Sequence, residues 1–433
     1  MGNNTIGLPT ATAIVIANMI GAGIFTSLGF QLVDTVNTWS IMILWCLGAV
    51  MALCGALSYA EIATYWVRSG GEYHFLSKAF HPLVGYLSGW VSLTIGFSAP
   101  IALSGMALGA YISPYLGVPE LPLAIFTIIV ISFFHSMSIK RSSILQNSTT
   151  LLKIILIFIF VFFGLTRIPE ASAYLFDKSW KDELLLPAFA VSFVYVTFSY
   201  SGWNAATYIV DEIRDVRKNL PRALLLGTGI VSLLYLLLNI VFLRQNQLED
   251  IRGQLEIGQI TAISIFGQNG GELISFGIAF MLISSISAMV WAGPRVTQAM
   301  AEDHTLWRWF AQKTMGKVPL RAIWLQTAIT LGLLFTGTFE QVMIYSGFIL
   351  QLFAALAVAA VFVVRRRNKS KSGFRSPIFP LPQLIFLILS AWILMYLLIA
   401  QPFETGLGLV NLALGYMVYR IDLFYTKNKG HSA

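Results

Sequence analysis

Apolar residues in this chain gather into runs of about 20, the length a helix needs to cross a hydrocarbon core of about 30 Å. Short polar joints carrying Gly or Pro separate them, among them Ser113-Pro114 and Ser376-Pro377. The runs fall at 10–34, 40–66, 84–112, 119–137, 145–166, 184–210, 221–243, 270–300, 320–338, 341–364, 380–400 and 404–420. A chain crossing lipid must satisfy its own backbone hydrogen bonds, so each run is expected to be helical. The pattern therefore predicts an all-α membrane protein of about twelve spanning helices. Residues 244–269 are polar with Gly punctuation and predict a partly helical surface segment. Residues 302–318 (EDHTLWRWFAQKTMGKV) predict a short amphipathic helix on the membrane surface.

Composition sharpens this picture. Of 433 residues, 57% are hydrophobic and 11% charged, against about 25% charged in a soluble domain. So few charges cannot make a water-facing surface. The net charge of +8 is a matter of topology. With the N-terminus inside, all but five of the 28 lysines and arginines lie on the cytoplasmic side, Lys153 being counted there by proximity. The five outside are Arg167, Lys178, Lys181, Arg244 and Arg252. This asymmetry predicts an even number of spans and cytoplasmic termini. The first run is too long, and lacks the basic leader, for a cleavable signal peptide. Cys46 and Cys54 share one apolar run and read as small buried residues, so no disulfide-linked ancillary subunit is expected. The histidines lack metal-ligand spacing, and no nucleophile elbow, phosphate-binding loop or HExxH motif occurs. No cofactor or metal is expected, and an intramembrane enzyme is disfavoured.

The informative residues are flexible or polar ones at membrane depth. The first span contains Ile20-Gly21-Ala22-Gly23-Ile24-Phe25, with two glycines in mid-run. The bland explanation is small-residue helix packing; the functional one is backbone freedom and close approach by a ligand. The sixth span contains Phe198-Ser199-Tyr200-Ser201-Gly202-Trp203-Asn204, which ordinary interhelical hydrogen bonding would also explain. The two features lie five spans apart. Interrupted helices in corresponding positions of two halves point to a transporter binding site. Unwinding exposes N–H groups at one half-helix and C=O groups at the other, suited to a carboxylate and an ammonium. A zwitterionic amino acid carries both.

These stretches resemble the amino acid–polyamine–organocation (APC) transporter superfamily. So do Ser69-Gly70-Gly71-Glu72-Tyr73 with Ala79-Phe80-His81-Pro82, and Asp211-Glu212-Ile213-Arg214-Asp215 with Asn219-Leu220-Pro221-Arg222-Ala223. The Phe198–Asn204 run is most similar to the L-type amino acid transporter branch and its bacterial relatives. The resemblance implies a LeuT-like fold: a five-plus-five inverted repeat with broken helices 1 and 6, two appended helices, and alternating access around a midplane site. It divides the chain into a first half (1–166), a second half (167–364) and helices 11–12 with a cytoplasmic tail (365–433). It implies that the amides of Ala22, Gly23 and Ile24 take the substrate carboxylate and that the carbonyls of Ile20, Phe198 and Ser201 take the amine. Gly21 and Gly202 lie within the breaks, and Phe198 becomes the outer gate.

Lys153 lies about two turns into the fifth span, in Thr149-Thr150-Leu151-Leu152-Lys153-Ile154-Ile155-Leu156. A charge at a helix centre costs roughly 2.5–3.5 kcal/mol on insertion scales. Snorkelling to the headgroups is the plain explanation. The resemblance implies instead that its ammonium takes the place of a sodium ion, against carbonyls near Gly21 and a hydroxyl of the eighth span. Ser284, Ser285 and Ser287 are the candidates, Ser285 the favoured one. Such a lysine could also load and release a proton.

Glu61, Glu72, Asp211, Glu212 and Asp215, with Arg68, Arg214 and Arg222, read as inner-gate ion pairs. Asn204 either lines the site or bonds a neighbouring helix, and His135 reads as a packed, hydrogen-bonded residue. The expected midplane parts of spans 3, 8 and 10 carry no acid or base; small residues such as Ser104, Gly105, Ser346 and Gly347 occur there. This favours neutral substrates, because a buried cation needs a carboxylate. The reading is a sodium-independent transporter of neutral L-amino acids in a bacterial plasma membrane, working by exchange or proton coupling. Proton-coupled uptake of cationic amino acids or polyamines is the alternative. A ligand-sensing receptor on a transporter scaffold is a different class.

Overall fold

The computed structural model describes residues 6–137, 139–169, 172–312, 318–367 and 373–430. Lys313, Lys317, Lys369, Lys371 and His431 lie outside the described residues, as does part of the 302–318 segment. Among the described residues the secondary structure is helical, apart from one isolated bridge between Ile6 and Ile213. Nine helices among them are long and apolar enough to cross a membrane. Two shorter apolar helices, Glu120–His135 and Leu320–Leu333, fall on the fourth and ninth apolar runs. The sixth run is split into Pro187–Tyr200 and Ala205–Glu212.

The helices wrap a shared interior. Val216–Gln245 packs along Thr38–Tyr65 and Leu8–Met19, and Ile257–Asp303 along Ser98–Leu116 and Ile139–Thr166. Outward faces carry exposed apolar side chains such as Phe126, Phe158, Ile388 and Phe424. A lipid solvent permits that arrangement. The polar segment before the eighth span is partly helical, as expected: Leu248–Ile251, then a helix from Ile257 that bends at Gly267, where φ is +73°. Among the described residues of the expected amphipathic segment, Glu302 and Asp303 end the helix from Ile257 and Thr305–Ala311 forms a short, tighter helix. The segment's His304 Nδ1 lies 2.8 Å from Asp422 Oδ2 on the last helix.

One sequence expectation needs correction here. Cys54 is buried but Cys46 is exposed. Eight residues at 3.6 per turn leave two side chains about 80° apart, enough to turn one of them outward.

Candidate functional site

The first span is broken where its glycines begin. Helix Leu8–Met19 ends at Ile20 (φ −76°, ψ 83°), and a new helix, Ala22–Gln31, follows Gly21 (φ −114°, ψ −155°). Ala22, Gly23 and Ile24 are thus its first three residues, and their N–H groups have no acceptor within the helix. The two glycines do different things, and neither supplies a left-handed conformation. Gly21 is extended, as any residue can be, and a Cβ there would find nothing nearer than Ser104 Oγ at 4.0 Å. A Cβ on Gly23 would lie 2.8 Å from Ser199 Cα and 2.7 Å from its Oγ. Gly23 lets the two broken spans touch, so at this position the packing explanation holds.

The second break begins after Pro187–Tyr200. Ser201 is extended (φ −55°, ψ 152°), Gly202 has φ +96°, and the chain re-enters a tight helix at Ala205–Glu212. Gly202 is required twice over. Its φ suits glycine, and a Cβ would sit 2.8 Å from the carbonyl carbon of Asn18. Tyr235 ties the breaks together: its hydroxyl lies 2.5 Å from Met19 O and 3.0 Å from Ser199 O. Ser27 Oγ and Ser199 Oγ add a 2.8 Å contact.

Lys153 meets the first break from below. Fully buried, its ammonium donates to Ile20 O at 2.6 Å, Ser285 Oγ at 2.8 Å and Ala17 O at 3.3 Å. The Ser285 hydroxyl itself donates to Ile20 O at 2.5 Å. Snorkelling does not describe this side chain. Ser284 Oγ has no hydrogen-bond partner among the described residues, and Ser287 Oγ instead lies 2.8 Å from His135 Nε2. The Ile20 carbonyl thus already accepts two donors, one for each lone pair.

Two joined cavities lie between the breaks. The smaller, about 280 Å³ of empty space, is walled by Gly21, Ala22, Gly23, Ser104, Phe198, Ser199 and Ser201, with Asn18, Met19, Pro100, Leu103 and Met289. No acid or base lines it. The larger, about 940 Å³ and partly continuous with solvent, shares Asn18, Pro100, Phe198, Ser201 and Met289 with it. It reaches Glu72, Asn204 and Tyr208, and passes Gly96 and Phe97, where the third span widens into a turn closed by Phe97 N to Ser92 O at 3.1 Å. Free N–H groups on one wall and unwound carbonyls on the other suit a small ligand bearing both charges.

The amino acid permease family model matches residues 6–418. The chain belongs to this family. It is similar to the serine/threonine exchanger SteT of Bacillus subtilis (strain 168), at 29% identity over 96% of this chain and 95% of the exchanger. The human b(0,+)-type amino acid transporter 1 is 27% identical over 92% of this chain and 83% of its own length. The human cystine/glutamate transporter is 26% identical over 98% and 86%. This is an APC permease related to the L-type branch, and an integral membrane protein.

Beyond the breaks, side-chain contacts cross the bundle at either end. At one end Tyr195 donates to Glu340 Oε1 at 2.5 Å, and the Phe30 and Phe339 rings stack at 6.2 Å. At the other end two acids of the expected cluster, Glu61 and Glu212, are paired, with partners the sequence did not suggest. Arg365 binds Glu61 at 2.6 Å, Arg295 binds Glu212 at 3.0 Å, and Arg68 binds Asp303 at 3.0 Å. Ser69 N donates to Asp211 Oδ2 at 3.1 Å, and Ser69 Oγ accepts from Asp211 N at 3.0 Å. Asp215, Arg214 and Arg222 form none of the ion pairs among the described residues.

Glu72 departs furthest from expectation. It is 6% exposed and joins no ion pair; Tyr59 Oη donates to its Oε1 at 2.8 Å and Asn204 Nδ2 at 2.6 Å. Asn204 therefore both lines the larger cavity and bonds a neighbouring element. Burial pushes the Glu72 carboxyl above the usual carboxylate range. Tyr235, Asn18 and the placement of Glu72 escaped sequence reasoning. A lone tyrosine in an apolar run carries no positional signal, and Glu72 looked like one more charge at a helix end.

Proposed function

We propose that the permease is a sodium-independent secondary transporter of neutral L-amino acids, working by exchange or proton coupling around a site between the two breaks. The observation that carries this reading is the pair of breaks facing one small cavity, with the Lys153 ammonium hydrogen-bonded to the Ile20 carbonyl. A fixed ammonium there serves where a coordinated sodium ion would otherwise neutralise the carbonyls. The amides of Ala22, Gly23 and Ile24 would take the carboxylate and the Phe198 and Ser201 carbonyls the amine. Phe198 would cover the substrate from outside. A cavity wall free of acids and bases supports neutral side chains. The similar exchanger and transporters support the amino acid itself as cargo.

In this reading the nine long helices, the two shorter apolar ones and the broken sixth run make twelve crossings. Residues 1–166 and 167–364 form inverted five-helix halves, and 365–433 adds two helices and a tail. Alternating access proceeds between these halves, with both termini cytoplasmic in a bacterial plasma membrane. The test is proteoliposome exchange with unlabelled competitors. A carboxamide or deaminated analogue of the best substrate should compete at least ~10-fold more weakly, about 1.4 kcal/mol. Equal competition by such analogues sinks the backbone site, and binding without flux would make the chain a receptor. Glu72 on the larger cavity keeps cationic cargo as the second reading; lysine outcompeting norleucine would decide for it.

A further inference from the structure

Two ionisable side chains are buried beside the breaks, and their hydrogen bonding differs. The Lys153 ammonium has three protons and three acceptors, Ala17 O, Ile20 O and Ser285 Oγ. It is fully satisfied as a cation, and losing a proton would strand an acceptor. Glu72 is buried, with Tyr59 and Asn204 donating to Oε1 and the Tyr208 hydroxyl also against the carboxyl, while among the described residues no hydrogen bond of good geometry reaches Oε2. It lines the larger cavity. A buried carboxylate needs a cation or further donors, or it takes up a proton.

Among the described residues no cation pairs with Glu72, and Arg366 of Phe339–Arg367 is exposed. The second span presents Tyr59, and its Glu61 is bound by Arg365. The sixth presents Asn204 and Tyr208, with Glu212 bound by Arg295 of the eighth. Of the helices packed on its own, Phe339–Arg367 commits Arg365 to Glu61 and Arg367 to Lys78 O. Ile257–Asp303 commits Glu302 and Asp303 to Arg68. Pro82–Val91 offers Tyr86, which accepts from Trp307. On Glu72's own helix Tyr73 donates to Asp303, Lys78 is exposed, and burial lowers His74 to about 4, leaving it neutral.

We propose that Glu72 is a proton-carrying site of the permease, taking one proton on its free Oε2 for each amino acid moved inward. The proton comes from the cavity water and converts carboxylate to carboxylic acid; its release to water on the other side restores the carboxylate. Asn204 reads the change. It sits in the second break, and its N–H donates to a charged oxygen in one state and a neutral one in the other, a weaker hydrogen bond. The inference rests on the amino acid transport reading and assigns its coupling to Glu72, leaving Lys153 as a fixed tether.

The test uses the full chain in substrate-free proteoliposomes with a lumenal pH dye and labelled amino acid, so that protons are counted per substrate. The wild type should acidify the lumen at about one proton per amino acid, with uptake rising several-fold as external pH falls from about 7.5 to about 5.5. Glu72→Gln should cut the ratio at least ~10-fold and flatten the pH profile. Glu72→Asp should keep the ratio and shift the profile. If Glu72→Gln proves inactive, Glu72→Asp decides, and an unshifted profile overturns the proposal. A full proton ratio in Glu72→Gln overturns it, as does one lost only in Lys153→Ala. Exchange without acidification in vesicles preloaded with amino acid, and no uptake in empty ones, overturns this inference alone; absence of amino acid flux in both preloaded and empty vesicles removes the transport reading beneath it.

Discussion

The two breaks are held in opposite ways. The first is pinned: Ile20 O accepts Lys153 and Ser285, Ala17 O accepts Lys153, and Met19 O accepts Tyr235. The second, after Ser201, is held at Asn204 by a carboxyl with an open oxygen and no ion pair among the described residues. On the proposal above, the fixed charge makes the first break a fulcrum and the variable charge makes the second a moving part, since a ligand shifts an equilibrium only by its differential affinity for two states. The strongest way to break this contrast is to change the surface the breaks share. Gly23→Val should abolish transport while membrane insertion stays intact, because the added carbon meets the Ser199 backbone. Gly21→Ala should stay within about threefold of wild type, since its Cβ position is open. Normal substrate binding in Gly23→Val would mean that the two breaks move independently.

The pinning itself is the next target. Lys153→Ala removes a charged donor from two carbonyls and a hydroxyl, and hydrogen bonds to charged groups contribute roughly 1.5–3 kcal/mol each. Exchange should fall at least ~30-fold, about 2 kcal/mol. Lys153→Arg should not restore it, because a planar fork does not fit a point-charge position. Wild-type exchange by Lys153→Ala would reduce the ammonium to a passenger.

Much of this was legible in the chain. Run length and composition were enough for the helices and their lipid setting, because apolar length is a local property. Both breaks were readable as glycines and hydroxyls inside apolar runs, and Lys153 as a charge too deep for comfort. What the sequence hid is relational. Gly21 and Gly23 look alike on paper, yet only Gly23 lies against Ser199, a neighbour 176 positions away along the chain. Glu61 and Glu72 also look alike, but one is bound by Arg365 and the other faces a cavity. Pairing across the bundle depends on helix rotation, which single-sequence patterns leave open within a turn or so.

Phe198 tests the second break from above. It borders both cavities and is largely buried, and the Tyr195–Glu340 bond and the Phe30–Phe339 stack lie at the same end of the proposed site. Phe198→Ala removes a ring whose burial is worth about 1.5–3 kcal/mol, only part of which substrate feels. Apparent affinity should weaken about tenfold, or about 1.4 kcal/mol, measured by concentration-dependent exchange in proteoliposomes. Unchanged kinetics would leave closure to Tyr195 and Phe30 and remove Phe198 from the gate.

The smallest expected effect is the most discriminating between the two breaks. Replacing external sodium with choline should leave initial exchange rates unchanged. The physical reason is occupancy. A sodium ion at the first break would need the Ala17 and Ile20 carbonyls and the Ser285 hydroxyl, and all three already bond the Lys153 ammonium. Binding there would bring two positive charges within a few ångströms in a medium of low dielectric, where their repulsion far exceeds the attraction of a shared carbonyl. The second break carries the opposite prediction, because the Glu72 oxygen is open to a small cation and a proton is the smallest. Rates that ignore sodium but follow pH would therefore assign the fixed charge to the first break and the variable one to the second. Strict sodium dependence would overturn the role of Lys153, and with it the idea that the first break is pinned by the protein's own charge.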